Sequence, residues 1–208
     1  LKFEEFVLLP GAVEAIAKLT KAGFRIAVCT NQSAIGKGTT THAIVRQVHE
    51  YMCAEVEKAG GKIDEIYYAS EAPNEFSLWR KPAPGMLLAG IEKFNADPAR
   101  TPFVGDMLRD MEAALAAGCP RILTRTGKGA RIEAEGIPDR QHLLPHPQGL
   151  GAPDAHGLKC RVGGLNLQHG DIVGAAMSKG YSLGGNSIDS SGQSSDRANT
   201  LFMAVRDW

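Results

Sequence analysis

Three groups of polar residues in this 208-residue chain have the types and spacing needed to bind a phosphate group and a divalent cation. Thr30–Ser33 follows the apolar segment FRIAVC and offers hydroxyl groups and backbone amides to an anion. Arg80 and Lys81 are adjacent cations just before a proline. Asp106 follows the apolar segment FVG, and Asp110 comes one helical turn later. A carboxylate at a strand end is a natural Mg2+ ligand, because this ion prefers one or two carboxylates together with phosphate oxygens.

Each group also has a simpler interpretation when it is taken alone. Thr-Asn at the end of a strand is common turn chemistry, and two adjacent cations are usually a solvated surface pair. Asp106 is equally well explained as the N-cap of the helix that follows it. The order of the three groups along the chain, rather than any one of them, favours a phosphate site.

The segment GKGT, residues 36–39, resembles a nucleotide-binding loop but lacks its anchors. That motif, G-x-x-x-x-G-K-[ST], cradles phosphate in backbone amides and needs a hydroxyl residue after the lysine. The first glycine would fall at Asn31, and the residue after Lys37 is Gly38. We therefore interpret GKGT as a mobile loop that leads into a helix.

Helical and strand patterns alternate through the first part of the chain and determine where these groups lie. Helices are predicted at residues 10–23, 41–61, 84–95 and 107–118, and strands at 24–30, 62–70, 101–106 and 120–126. Such alternation predicts a parallel sheet covered by helices on both faces, so the fold class is α/β. Ligands of such folds bind beyond the carboxyl ends of the strands, which selects residues 30–33, 69–81 and 105–110.

Composition and charge exclude several kinds of partner. The 23 basic and 23 acidic residues give no net charge, so we expect neither nucleic acid nor a membrane surface as a partner. No apolar segment approaches the ~20 residues of a membrane span, and no secretory signal is recognisable. The four cysteines lack metal-binding spacing and lie in apolar segments, so we interpret them as reduced core residues. Reduced cysteines indicate a cytoplasmic protein.

The composition changes after Pro145, where the chain becomes rich in glycine and serine and loses any sustained helical period. We predict a core over residues 1–145 and an irregular, poorly ordered Gly/Ser-rich tail over residues 146–208. Short apolar pieces of that tail, such as DIVGAAM and LFMAV, could dock as strands.

Taken together, the three groups resemble motifs two, three and four of the haloacid dehalogenase (HAD) phosphohydrolases. The segments LLPGAVEAIAKLTKAGFRIAVCTNQSAIGKG, GGKIDEIYYA, RKPAPGMLL and VGDMLRDMEAALAAGC are similar to the D-glycero-D-manno-heptose 1,7-bisphosphate phosphatases and the related histidinol-phosphate phosphatases. The resemblance covers residues 1–140 and implies a three-layer, Rossmann-like HAD core. It also implies Mg2+-dependent hydrolysis of a small phosphorylated sugar through an aspartyl-phosphate intermediate. The expected reaction removes the 7-phosphate of heptose bisphosphate, and the expected enzyme is a monomer. A histidinol-phosphate phosphatase and a non-catalytic phosphate-binding relative remain as alternatives.

The resemblance also implies a role for each candidate residue. Thr30 and Lys81 would be catalytic, because they would bind the transferring phosphoryl group and stabilise its charge. Four residues would contact the substrate: Asn31, Gln32, Ser33 and Arg80. Asp106 would bind Mg2+. Asp110 would either support the ion from outside its coordination sphere or orient Lys81.

Three features depart from the family pattern. The nucleophile motif Asp-x-Asp-Gly should lie on a first strand upstream of Leu1, and no Asp-x-Asp occurs in the sequence. We therefore expect an incomplete copy with its first strand missing, a gap at the centre of the sheet and little phosphatase activity. The loop ASEAPNEFSLW contains no cysteine or histidine, so the structural zinc that many relatives carry there is not expected. The tail after Pro138 does not align with the family.

Overall fold

The computed structural model describes residues 3–136 and three short strands farther along the chain. The helices are α1 (Ala12–Lys21), α2 (Ser33–Gly36), α3 (His42–Lys58), α4 (Gly85–Phe94), α5 (Leu108–Ala116) and α6 (Gly129–Glu135). The strands are β1 (Arg25–Asn31), β2 (Glu65–Ala69), β3 (Phe103–Gly105), β4 (Arg121–Leu123), β5 (Arg161–Val162), β6 (Leu165–Asn166) and β7 (Thr200–Met203). Each helix and strand predicted from the alternating pattern is present. No helix among these residues is both long enough and apolar enough to cross a membrane.

Five strands form one parallel sheet in the order β2-β1-β7-β3-β4. Helices connect the parallel strands that follow one another in the first part of the chain, α3 between β1 and β2, α4 between β2 and β3, and α5 between β3 and β4. This arrangement confirms the predicted α/β class. The strands β5 and β6 form a separate antiparallel pair.

The centre of the sheet is occupied by β7. Met203 lies opposite Val28 of β1 on one side and opposite Val104 of β3 on the other. The expectation of a gap at this position is therefore wrong, because a segment from the predicted tail fills it through backbone pairing. Apart from β5, β6 and β7, residues 146–208 lie outside the described residues, so the prediction of a poorly ordered tail stays a prediction.

Helices cover both faces of the sheet, as the three-layer expectation requires. Alternate residues of β1 point to opposite faces. Ile26 packs with Val56 of α3 and with the apolar side of α1 on one face. Cys29 packs with Met86 of α4 and Ala113 of α5 on the other. The carboxyl ends of the strands thus form an edge between two packed helical layers.

Candidate functional site

The predicted site residues meet at the carboxyl edge of the sheet. Thr30 and Asn31 are the last two residues of β1, and Asp106 comes directly after β3. Lys81 lies in the connection between β2 and α4, yet its ammonium group reaches the backbone of Cys29 in β1. The fold therefore brings together residues that are separated by up to five helices and strands in the sequence.

The segment after β1 is buried and held by its own side chains. The Gln32 amide Nε2 donates to Thr30 Oγ1 at 3.0 Å, and the Gln32 backbone amide donates to the Ala69 carbonyl at 2.6 Å. Gln32 Oε1 is buried and has no hydrogen-bond partner among the described residues. Buried polar atoms are normally paired, so this oxygen is suited to accept a hydrogen bond from a ligand.

Asn31 holds the main chain of Lys81 through two reciprocal hydrogen bonds. The Lys81 backbone amide donates to Asn31 Oδ1 at 3.0 Å, and Asn31 Nδ2 donates to the Lys81 carbonyl at 3.0 Å. Both residues are buried, so these bonds form where water cannot compete. A side chain at the end of β1 thus fixes the position of a lysine fifty residues later.

The ammonium group of Lys81 is buried between two acceptors. It donates to the Cys29 carbonyl at 2.9 Å and lies 2.7 Å from Asp110 Oδ1, with both side chains only 1% exposed. The approach to Asp110 is close but poorly directed for a hydrogen bond, so attraction between the charges dominates it. An ammonium group has three N–H donors, which leaves this one able to contact a phosphoryl oxygen at the sheet edge.

The Cys29 side chain takes no part in this chemistry. Burial raises the pKa of its thiol far above the ordinary range, although the Lys81 charge acts in the opposite direction. A protonated thiol is neither a nucleophile nor a metal ligand. Cys29 therefore contributes only its carbonyl oxygen.

Asp110 is positioned by the start of α5 and by a glycine. The Met107 amide donates to Asp110 Oδ2 at 3.1 Å, which satisfies a free amide at the helix start. A Cβ atom on Gly105 would lie 2.5 Å from Asp110 Oδ2, so only glycine permits this approach. One carboxylate oxygen of Asp110 thus accepts from the Met107 amide, and the other lies 2.7 Å from the Lys81 ammonium.

Asp106 is not the N-cap of α5, because Met107 occupies that position. Its half-exposed carboxylate instead lies under the loop before α6, where the Lys128 amide approaches Oδ2 at 3.3 Å. A Cβ atom on Gly127 would lie 1.8 Å from the same oxygen, so the loop backbone is close enough to exclude any side chain. One face of the carboxylate is thus covered by the loop.

The carboxylate of Asp106 fits the donor preference of magnesium. No cluster of three or more His, Cys, Asp or Glu residues within the described part of the chain could hold a metal ion. Mg2+ usually keeps several waters and binds through one or two carboxylates plus phosphate oxygens. The Asp106 carboxylate is a donor of the kind that such a site uses, and a bound phosphate would supply further ligands.

Arg80 is fixed next to the lysine by the loop that precedes it. Its Nη1 donates to the Glu71 carbonyl at 3.2 Å, and its backbone amide donates to Ser77 Oγ at 3.0 Å. The interpretation of Arg80 and Lys81 as a solvated surface pair is therefore wrong, since Lys81 is buried and Arg80 is half-buried.

The first glycine of the GKGT segment lies in a short helix, and the three residues after it form a turn. Ser33–Gly36 forms one helical turn, and the Gly36 amide donates to the Ser70 carbonyl at 2.9 Å. A Cβ atom at Gly36 would lie 2.5 Å from the Ala72 backbone nitrogen. The glycine is thus required by a close contact between two backbones. The glycine that made GKGT resemble a nucleotide-binding loop is therefore explained by backbone packing rather than by phosphate binding.

Comparisons with known proteins agree with this architecture. A sequence model of the HAD-hydrolase-like family matches residues 78–146. A D-glycero-beta-D-manno-heptose-1,7-bisphosphate 7-phosphatase of Pseudomonas putida is 43% identical over 136 residues, which are 65% of this chain and 78% of the relative. The enzyme of the same name from Bordetella bronchiseptica is 37% identical over 133 residues, 64% of this chain and 74% of the relative.

Solved structures give the same result. The crystal structure of D,D-heptose 1,7-bisphosphate phosphatase from B. bronchiseptica, complexed with magnesium and phosphate, superposes with a TM-score of 0.64 at 34% identity, covering 70% of this chain and 82% of that one. The phosphatase from Burkholderia thailandensis gives a TM-score of 0.52 at 36% identity, covering 70% and 81%. The chain belongs to the HAD-like hydrolases, in the family of the D-glycero-beta-D-manno-heptose-1,7-bisphosphate 7-phosphatases.

Proposed function

We propose that this chain carries the phosphate- and Mg2+-binding machinery of a phosphatase that removes the 7-phosphate from D-glycero-D-manno-heptose 1,7-bisphosphate. The observation that carries the proposal is the buried Lys81 ammonium, held by the Cys29 carbonyl and Asp110 at the carboxyl edge of a parallel sheet. Burying a charged group away from water costs free energy unless the group is paired with an opposite charge or a hydrogen-bond partner. A desolvated cation there attracts a phosphoryl group more strongly than a surface lysine does.

In this proposal Thr30 and Lys81 bind the transferring phosphoryl group through a hydroxyl and an ammonium. Arg80 and the segment after β1, Asn31 to Ser33, bind the sugar, with Gln32 Oε1 accepting a hydrogen bond from a hydroxyl of the substrate. Asp106 holds Mg2+, which, when bound, neutralises charge on phosphate oxygens. Asp110 keeps Lys81 aimed at the phosphoryl group and contacts no substrate. A monomeric, cytoplasmic protein is part of the same proposal.

A second candidate is phosphate binding without turnover, which is favoured by the absence of Asp-x-Asp from the 208 residues. Thr30, Lys81 and Asp106 bind and polarise a phosphate, but none of them is a carboxylate placed to attack phosphorus while another protonates the leaving alcohol. The prediction that this chain alone turns over little heptose bisphosphate stays a prediction.

Binding and turnover measured on the same preparation test both candidates. We expect inorganic phosphate and heptose bisphosphate to bind in Mg2+ by calorimetry, and Lys81→Met to lose at least about tenfold in both affinities, as expected for a charge-assisted contact. The amount of phosphate released from heptose bisphosphate then distinguishes the two candidates. Release over multiple turnovers supports the phosphatase, and substrate binding without phosphate release supports the non-catalytic protein. Absence of phosphate binding by the wild-type chain would refute both.

A further inference from the structure

The loop between β2 and α4, residues 70–80, contains a hydrogen-bond network centred on one hydroxyl group. Ser77 Oγ donates to Glu71 Oε1 at 2.7 Å. The same oxygen accepts the backbone amides of Trp79 at 3.1 Å and Arg80 at 3.0 Å. One serine therefore joins an acidic side chain near the start of the loop to the main chain at its end.

Glu71 holds Arg80 through two separate routes. Its carboxylate accepts from Ser77, which in turn accepts from the Arg80 amide. Its carbonyl accepts from the Arg80 guanidinium at 3.2 Å. The main chain and the side-chain head of the arginine are thus both fixed relative to one residue, which sets the direction of the planar guanidinium fork.

The charge on Glu71 is maintained by the same contacts. Partial burial alone would raise the pKa of its carboxyl group, but the Ser77 hydroxyl and nearby backbone amides oppose this effect, as does the Arg80 charge. The net result is a pKa below the ordinary value of 4.5. Glu71 is therefore ionised at neutral pH, where it attracts Arg80 as well as Ser77.

Both ends of the loop are anchored to the core. The Ser70 carbonyl accepts from the Gly36 amide at 2.9 Å, and the Gly85 amide donates to the Leu78 carbonyl at 3.1 Å. The Trp79 indole donates to the Tyr68 carbonyl in β2 at 3.0 Å. The loop is thus tied by hydrogen bonds at both ends, so the network within it helps to set the position of Arg80 relative to the sheet edge.

We propose that Glu71 and Ser77 are positioning residues that orient Arg80 toward the sugar part of the substrate. The inference depends on the proposed function, in which Arg80 contacts the sugar while Thr30 and Lys81 hold the phosphoryl group. In this chain hydrogen bonds between side chains and backbone give the loop its shape.

The test compares two ligands that require different parts of the site. Affinities for heptose bisphosphate and for inorganic phosphate are measured by calorimetry in Mg2+ for the wild type, Ser77→Ala, Ser77→Thr, Arg80→Lys and Ser77→Ala combined with Arg80→Lys. Asn74→Ala, at an exposed position of the same loop, is the matched control. Amide hydrogen exchange at Arg80 in the ligand-free chain reports positioning directly.

Ser77→Ala should weaken heptose bisphosphate binding by about tenfold and leave inorganic phosphate binding within about twofold, because only the sugar contact loses its support. Ser77→Thr should restore binding, and Ser77→Ala should cause no further loss when Arg80 is already lysine. Exchange at the Arg80 amide should accelerate in Ser77→Ala and not in Asn74→Ala.

Two results would overturn the inference and leave the proposed function intact: equal losses for the two ligands in Ser77→Ala, or unchanged exchange at Arg80. A wild-type chain that binds neither ligand would overturn the proposed function, and the inference with it.

Discussion

Replacing Asp110 with asparagine tests whether the buried ion pair with Lys81 is an electrostatic requirement of the fold. Asparagine keeps the size of the side chain and an oxygen that can accept the Met107 amide. It removes the counter-charge from an ammonium group whose side chain is 1% exposed. The substitution therefore isolates the charge from the packing.

The expected cost follows from the geometry of the pair. At the 2.7 Å separation and an effective dielectric constant of about 20, the attraction is about 6 kcal/mol. The amide dipole and the Cys29 carbonyl retain part of this stabilisation, so we expect a loss of about 3–5 kcal/mol, the usual result of removing one partner of a buried pair. That is a large share of the roughly 5–15 kcal/mol that stabilises a domain.

Urea unfolding followed by far-UV circular dichroism measures this loss as a decrease of roughly 2 M in the midpoint, given slopes of about 1–3 kcal/mol/M. Glu135→Gln, which breaks the exposed pair with Arg131, is the control and should leave the midpoint unchanged. The double variant Lys81→Met with Asp110→Asn should be more stable than Asp110→Asn alone, because no unpaired charge remains. An Asp110→Asn midpoint close to that of the wild type would refute the reasoning, as would a double variant no better than the single one.

Three further predictions follow from described contacts. Gly36→Ala should lower the free energy of unfolding by about 1–3 kcal/mol in urea, because its Cβ would overlap the Ala72 backbone, whereas Lys37→Ala should change little. Deleting residues 200–208 should abolish cooperative thermal unfolding and expose amides of β1 and β3 to hydrogen exchange, since β7 pairs with both; wild-type protection would contradict the role of β7. Burial raises the pKa of Cys119 to about 12 and that of Cys29 further, so both thiols should resist iodoacetamide at neutral pH in the folded chain and react in denaturant, which mass spectrometry of the peptides would show.

Local sequence patterns were sufficient to predict the elements that build the site. Apolar residues at helical spacing and short β-rich segments predicted the helices and strands between residues 10 and 126, because each pattern is local. The rule that ligands bind beyond the carboxyl ends of strands then selected Thr30, Lys81 and Asp106. What spacing alone left open was the pairing of Lys81 with Asp110, which depends on how the connection between β2 and α4 meets α5 in space.

The features that the sequence left open depend on contacts between distant parts of the chain. The expectation that LFMAV could dock as a strand is confirmed by β7, but the sequence did not show where, and only pairing with β1 and β3 places it at the centre of the sheet. The hydrogen bonds of Ser77 could not be predicted from the sequence either, because serine and glutamate are common loop residues and only the fold places them next to Arg80.

The position of β7 sets the distance between the candidate site residues of β1 and the aspartate that follows β3. Adjacent strands are about 4.8 Å apart, so one strand between β1 and β3 separates Thr30 from Asp106 by about twice that distance at the sheet edge. Lys81 contacts both parts of the sheet, since its ammonium lies against the Cys29 carbonyl in β1 and against Asp110 of α5, the helix after β3. Because β7 pairs with β1 on one side and with β3 on the other, we expect its loss to disturb both of these lysine contacts.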